Sequence, residues 1–368
     1  MKSPGLAQFL HIWPEYGLTA REGDAVPLTP ILGGLSGAQI WHVEFGSQTY
    51  ALRVTVNTHV TDVPWLEWRH AILAQIQQQA NIPICLPLKT LSQKTWLASE
   101  GHCYELFPWI SGAAVADWHR QPELRRQIVQ AIAKWHVVAG LGQFPPEPSG
   151  EPNPRDDVKI TASTPYGLKL RREMLAHAWI MERQEIEQAL TLKLPEFWRE
   201  YGHHLLGLLA TCHLRVSEIV AAAAHLEVPQ FPCIRDVRGE HYLFQNQSLA
   251  GIVDFAALRV DSPMADLTRL LMEVPLDQAE ARAAIWTTYE ELRALTTNER
   301  QVFIAYDFAS RLLTPLNWFR WIVIEARDFG PVDRVQSFAK RALARGRELP
   351  ELLAYRQPTQ TNSVLEFR

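Results

Sequence analysis

Cysteine is scarce in this chain, with four in 368 residues. Cys85, Cys103, Cys212 and Cys233 form no CxxC pair, which excludes a zinc ribbon and a disulfide framework and leaves reduced, mostly buried thiols. An excess of either charge is also missing. Thirty-six Lys and Arg stand against 40 Asp and Glu, for a formal net charge of −4 and a pI near 6.4, so nothing asks for nucleic acid or an acidic membrane as partner. A small molecule is the better default. The opening MKSPGLAQFLHIWPEYG lacks the charged-then-apolar pattern of a signal peptide, and no run reads as the roughly 20 apolar residues of a membrane span. A cytoplasmic protein is therefore expected. No internal repeat stands out. What is abundant is apolar sequence, 47% of the chain, enough for a large core in two lobes.

From Pro27 to Phe107 the pattern is β-rich. Leu28–Leu32, Gln39–Phe45 and Thr49–Val54 read as strands of an antiparallel meander, with Gly33-Gly34-Leu35-Ser36-Gly37-Ala38 as the first turn. Such a turn is often only a turn, but its bare backbone can also fold over a polyphosphate. Alternation puts Ala51 and Arg53 on one face. Arg53 is either an edge cation in solvent or a phosphate ligand. Asp62 and Pro64 start a helix that Asn81 and Pro83 end. Glu67 in its first turns is a solvated acid or the partner that pins Arg53. Cys85–Thr90, Thr95–Ala98 and Tyr104–Phe107 read as further strands, and Pro108 to Gly112 as a hinge.

Beyond the hinge, helices are expected at Pro122–Gly140, Tyr166–Leu190, Glu196–Leu226, Ala265–Met272, Asp277–Leu295, Asn298–Asp328 and Val332–Leu349. Gln143–Pro165 reads as an exposed loop and Arg356–Arg368 as a loose tail. The helical histidines, His70 and His136 among them, sit at no ligand spacing and read as satisfied or solvated. Between these helices lies Cys233–Asp266, CIRDVRGEHYLFQNQSLAGIVDFAALRVDSPMAD. Its charged cluster Arg235-Asp236-Val237-Arg238 precedes a hairpin whose second strand, Leu249–Val253, ends on Asp254. Two carboxylates thus stand at the mouths of neighbouring strand segments.

The order of glycine turn, strand cation, helix acid, hinge, loop aspartate and strand-end aspartate resembles the protein-kinase-like fold, most closely the aminoglycoside phosphotransferase and choline kinase-like family. The resemblance covers roughly residues 27 to 350. It implies an α+β, two-lobed fold: a small β-rich N-lobe over 1–107 that binds nucleotide, a large helical C-lobe over 108–355, and a tail over 356–368. It also implies ATP-dependent phosphorylation of a hydroxyl on a sugar, aminoglycoside, amino alcohol or similar small molecule, with Mg2+ as cofactor. Family members carry a His-x-Asp-x-x-x-x-Asn loop, a hairpin and a metal-binding Asp. Asp236 takes the place of the loop Asp and would orient the attacking hydroxyl, and Asp254 in Ile-Val-Asp-Phe takes that of the metal ligand.

By the same resemblance, Arg53 held by Glu67 would pair with the α/β-phosphates, and Gly33, Gly34, Ser36 and Gly37 would cover them. Glu105 and Phe107 would present backbone groups to adenine, Arg238 would face the transferring phosphoryl, and Asp266 would brace the start of a helix. Two positions depart from the pattern. Ile234 stands where the loop His is expected, and His241 where the metal-binding Asn is expected. Because Mg2+ prefers oxygen ligands, His241 leaves three readings: one metal at Asp254, Mn2+ with His241 as ligand, or a nucleotide-binding pseudokinase without turnover. Asp-Phe-Ala in place of Asp-Phe-Gly, and the lack of an Ala-Pro-Glu segment, speak against a protein kinase. The acceptor is expected between the catalytic loop and the C-terminal helices, lined by Tyr166–Leu226 and Arg311–Arg327. There Trp318 and Trp321 read as core, or as a cage for a cation.

Overall fold

Alternating apolar residues build the N-terminal strands. β1 (Leu28–Ile31), β2 (Gln39–Phe45) and β3 (Gln48–Val56) run up and down as a meander, α1 (Val63–Ala80) follows, and β4 (Leu97–Ser99) and β5 (His102–Pro108) complete an antiparallel sheet of order β1-β2-β3-β5-β4. The structure is a computed structural model and describes residues 9, 11–18, 28–31, 38–56, 63–148 and 164–355. The glycine turn and the C-terminal tail expected from the sequence lie outside the described residues, as does most of the loop expected over 143–165. The described start of that loop is anchored, with the Pro145 carbonyl accepting the Trp68 indole N–H at 2.8 Å.

The chain divides into two compact units, Met1–Trp118 with Gly142–Val158 and Gly239–Ala256, and His119–Leu141 with Lys159–Arg238 and Ala257–Arg368. The first unit thus continues past residue 107, which lies inside β5, and takes in the later hairpin. In it the register pairs Trp41 with Leu52, Val43 with Tyr50, Leu52 with Leu106 and Val54 with Tyr104, so these apolar side chains share one face. Phe9, Ile12 and Trp13, from a stretch that no sequence pattern singled out, are buried against that face. The opposite face is left for the site.

Cys85–Thr90 is not the strand expected. Pro83 and Pro87 lack the N–H a ladder needs. The segment is instead tacked down at single points, through the Cys85 N–H to the Ile252 carbonyl at 3.0 Å and the Leu88 N–H to the Leu106 carbonyl at 2.7 Å. β6 (Ala113–Ala114) joins a small sheet with β8 (Tyr242–Gln245) and β9 (Ser248–Ile252), the hairpin expected from the sequence. Its two-residue turn, Asn246 and Gln247, has positive φ at both positions (49° and 64°), the geometry that matches the twist of paired strands.

The second unit is helical: α2 (Pro122–Leu141), α3 (Tyr166–His177), α4 (Arg183–Leu190), α5 (Glu196–Ala223), α6 (Met264–Leu271), α7 (Ala279–Leu292), α8 (Thr297–Phe319), α9 (Val332–Arg347) and α10 (Leu349–Tyr355), with one short ribbon of β7 (Phe231–Cys233) and β10 (Arg259–Asp261). α8 is its axis. A reciprocal cap starts it, with Thr296 Oγ1 accepting from the Glu299 N–H and the Glu299 carboxylate from the Thr296 N–H. Nearly every residue from Val302 to Phe319 is buried, and α3, α5, α6 and α9 pack around it. Two expected helices are interrupted. The 166–190 segment passes through a π turn at Ala178–Glu182, and the 298–328 segment ends in another at Arg320–Ile324. α5 is long and apolar enough, by length and composition, to cross a membrane, which the sequence reading missed. Its stripe Tyr201, Leu205, Leu209, Cys212 and Val216 is buried in this unit, where α5 packs on α8.

Candidate active site

On the free face of the five-stranded sheet, β3 and β5 pair Arg53 with Glu105 and Ala51 with Phe107. Arg53 Nη1 lies 2.5 Å from Glu105 Oε2, and the other carboxylate oxygen lies 3.0 Å from His70 Nε2 on α1. His70 Nδ1 is in turn 2.7 Å from Thr95 Oγ1. Burial works to raise the Glu105 carboxyl, but the His70 hydrogen bond and the Arg53 guanidinium outweigh it and hold the carboxyl below its usual range. This corrects the expectation for Glu67. That side chain is exposed and accepts the Trp96 indole N–H at 3.0 Å. The acid that pins Arg53 comes from the sheet, and the helix contributes His70, one turn beyond Glu67. A lone acid between Tyr104 and Leu106 in an otherwise apolar strand was the visible signal, but the register that sets it opposite Arg53 was not.

A cavity of about 330 Å³ opens on this face within the first unit. Ala51, Phe107, Leu243 and Phe255 give it apolar walls, and Arg53 and Asp254 stand among its lining residues. Its size and mostly apolar lining suit a nucleobase with charged groups to one side. The Leu106 carbonyl is turned away from β3, toward the Leu88 N–H. Strand alternation therefore turns the backbone groups of Glu105 and Phe107 toward β3, consistent with the next odd residue, Trp109, donating to the Thr49 carbonyl at 3.0 Å. Contrary to the expectation, neither is left to present its backbone to adenine; Phe107 lines the cavity, and the buried Glu105 carboxylate is taken by Arg53 and His70. The backbone carbonyl of Pro108 faces the other edge, 3.7 Å from the Cys85 thiol, and Pro108 and Ile110 both line the cavity.

The hairpin brings two of the expected metal ligands together in the same unit. Tyr242 pairs with Ile252, and the Val253 N–H donates to the His241 carbonyl at 3.0 Å, so His241 and Asp254 flank the open end of β8 and β9. His241 Nε2 lies 3.6 Å from Asp254 Oδ2. His241 is buried and Asp254 is about half exposed, its backbone left-handed at φ 63°. One carboxylate oxygen and one imidazole nitrogen at this separation can share an ion. The pair fits a divalent cation that accepts nitrogen better than it fits magnesium alone.

In the second unit the loop that carries Asp236 is held from beneath. Asp266 Oδ2 accepts the Ile234 N–H at 2.8 Å and Oδ1 the Arg235 N–H at 2.5 Å, while His136 Nε2 lies 3.0 Å from Oδ2 and His136 Nδ1 is 2.8 Å from the Tyr289 hydroxyl. Burial lowers the His136 imidazole below its usual value, against the pull of Asp266. Asp266 therefore braces the loop, and its support reaches well beyond the helix start expected from the sequence. Arg235 adopts φ 64°, a conformation that costs a non-glycine residue about 1–3 kcal/mol and that the Asp266 bond offsets. The next residue, Asp236, receives Arg238 Nε at 3.0 Å and Arg269 Nη2 at 2.5 Å on Oδ1. Arg269, on α6, was not foreseen.

Gly33, Gly34, Ser36 and Gly37 lie outside the described residues. Of the residues expected to line the acceptor site, Arg311 is buried between Asp307 (3.0 Å) and Glu348, and Trp318 is core, stacked on Phe338 with centroids 5.7 Å apart.

Residues 27–300, about three quarters of the chain, match the phosphotransferase enzyme family. The chain belongs to the phosphotransferase enzyme family. With that membership comes ATP-dependent phosphorylation of a small-molecule hydroxyl. Solved structures agree on the fold, antiparallel sheet followed by helices. A spectinomycin phosphotransferase in complex with ADP and spectinomycin is 11% identical, with a TM-score of 0.66 over 95% of this chain and 99% of that one. A microcompartment-associated aminopropanol kinase is 12% identical, with a TM-score of 0.57 over 96% and 99%. An aminoglycoside phosphotransferase from Alicyclobacillus acidocaldarius is 16% identical, with a TM-score of 0.52 over 96% and 98%. No curated protein matches in sequence.

Proposed function

We propose that this phosphotransferase binds ATP in the cavity of its first unit and transfers the γ-phosphoryl to an acceptor hydroxyl oriented by Asp236. The observation that carries the reading is the cavity itself, apolar where a base would lie and bordered by Arg53 and Asp254. The purine edge is read by the Pro108 carbonyl and the Ile110 N–H, and Arg53, kept in place by Glu105 and His70, meets the α/β-phosphates. Asp254 and His241 hold the divalent cation, magnesium or manganese, which offsets phosphate charge. In the transfer, the hydroxyl oxygen bonds to the γ-phosphorus, the bond from that phosphorus to the β,γ-bridging oxygen breaks, and the hydroxyl proton passes to Asp236 or to water. The protein's task in such a loose transition state is alignment and neutralisation of charge. The protein works in the cytoplasm, where ATP is supplied. Its proposed working parts are the nucleotide lobe 1–107, the helical lobe 108–355 and the tail 356–368, with the hairpin 239–256 lent to the first.

ADP release in a screen of hydroxyl compounds, with Mg2+ and with Mn2+, is the test. Asp236→Asn and Asp254→Asn should each lower kcat by about 100-fold or more. Full activity in either variant overturns the role given to that residue. His241 supports a second reading, a nucleotide binder without turnover. ATP binding without transfer to any compound by wild type, and transfer gained by His241→Asn, would establish it.

A further inference from the structure

Around the loop aspartate, the second unit gathers more guanidinium than its own carboxylates neutralise. Asp236 already carries Arg238 and Arg269 on one oxygen. Asp261 is taken by Arg235 Nε at 3.2 Å, the Tyr306 hydroxyl at 2.6 Å and the Ser262 N–H at 2.9 Å. Beside them Arg171, on α3, has no carboxylate within ion-pair distance among the described residues, although Asp261 attracts it. It donates to the Gly167 carbonyl at 3.0 Å and Ser310 Oγ at 3.4 Å, and lies 4.3 Å over the Tyr306 ring. Arg345, on α9, has no carboxylate within ion-pair distance among the described residues. Burial lowers the Arg171 guanidinium, against the attraction of Tyr306 and Asp261 and with the lesser repulsion of Arg235 and Arg269, and Arg345 is repelled by Arg269, Arg311 and Arg341. With burial as the larger cause, Arg345 is pushed down to about 10 despite the attraction of Glu273.

Gathered cations that have lost part of their water raise the energy of the site until a counter-charge arrives. They are not sealed off: the side chains of Arg235, Arg238 and Arg269 keep 22–26% of their exposure, and Arg171 is half-buried. An acceptor bearing ammonium groups would add positive charge where Asp236 and Asp261 are already paired with arginines. One bearing a carboxylate or a phosphate supplies what is missing, and Arg171 has a planar fork to receive it.

We infer that the hydroxyl compound phosphorylated by this protein is an anion, whose carboxylate or phosphate is received by Arg171 beside Arg269. The inference rests on the phosphotransfer role proposed for Asp236.

ADP release by the full chain, with ATP and matched acceptors, tests it. Glycerol, glycerate, glycerol 3-phosphate and aminopropanediol form one set, and glucose, gluconate, glucose 6-phosphate and glucosamine another. At least one anionic member should exceed its neutral and amino counterparts by about tenfold or more in kcat/KM. Whether it is a carboxylate or a phosphate identifies the anion. Arg171→Gln should raise KM for that acceptor by about tenfold or more with a smaller change in kcat, and Arg171→Lys should restore part of the loss. Transfer only to neutral or amino compounds, or an anionic preference untouched by Arg171→Gln, overturns the inference and leaves the transferase reading standing. Should nothing be phosphorylated, calorimetry with inorganic phosphate decides separately. Saturable binding weakened about tenfold by Arg171→Gln upholds the anion site against the turnover reading; no binding overturns the anion site as well.

Discussion

At the scale of single residues, Glu105 and Glu67 differ in what their loss should do. Glu105 is buried between Arg53 and His70, and Glu67 is exposed. Glu105→Gln leaves a half-buried guanidinium without its charge partner, which should destabilise the fold by on the order of 3 kcal/mol and raise KM for ATP. Glu67→Gln should stay within about 0.5 kcal/mol of wild type. Urea midpoints and ATP kinetics measure both. Because the Glu105 carboxyl is held below its usual range, its contribution is present above the unfolded-state value of about 4.3 and lost as pH falls from there through its lower folded value. The gap in urea midpoint between wild type and Glu105→Gln should therefore narrow below about pH 4, and a constant gap down to pH 3 would contradict the charge assignment. Cys85 lines the cavity with its thiol pushed up to about 11 by burial. At pH 8 it should alkylate about 100-fold more slowly than a free thiol, since only the thiolate reacts. Iodoacetamide labelling followed by peptide mass analysis reads this directly.

Elements determine how these residues meet. Arg53 on β3 finds Glu105 on β5 because antiparallel register sets them opposite, and His70 joins them because helix spacing turns it to the same side of α1 as the buried Leu66 and Leu73. Register and helix orientation depend on contacts between segments far apart in the chain, so a reading by motif order named the adjacent helix acid, Glu67. The start of α3 is under a similar constraint. A Cβ at Gly167 would lie 2.4 Å from Asp261 Oδ2 and 2.8 Å from the Tyr306 hydroxyl. Gly167→Ala should push apart the Asp261, Tyr306 and Arg235 network at a cost of about 1–3 kcal/mol. A melting temperature unchanged from wild type would show that α3 can shift to admit the methyl group.

For the whole molecule, the two compact units make different demands on a ligand. ATP alone should slow amide exchange on β3, β5 and the 241–254 hairpin of the first unit, while α5 and α8 of the second exchange as before, since the cavity lies in the first unit. With ATP at about 100 times its Kd, bound ligand contributes about 2.7 kcal/mol to the state that binds it. Hydrogen exchange followed by mass spectrometry separates the units. Protection confined to the helical unit would move the nucleotide site away from Arg53.

The sequence by itself determined most strands and helices and the hairpin that ends in Asp254, because each rests on local periodicity, turn chemistry and spacing. The two-lobed fold followed from the resemblance of its motif order to a known family, and Cys85–Thr90 and the breaks at Ala178–Glu182 and Arg320–Ile324 were not legible. Asp236 and Asp254 were singled out by their positions along the chain, at the loop and at the end of the hairpin strand. Tertiary structure alone decided what depends on distant segments meeting: Glu105 and His70 as the partners that hold Arg53, and Asp266 as the brace beneath the loop. It also decided that Arg269 pairs with Asp236 and that Arg171 lies over the Tyr306 ring. Arg269 is 33 residues along the chain from Asp236, and α3 and α6 carry no shared pattern in the sequence; only packing around α8 brings these helices together.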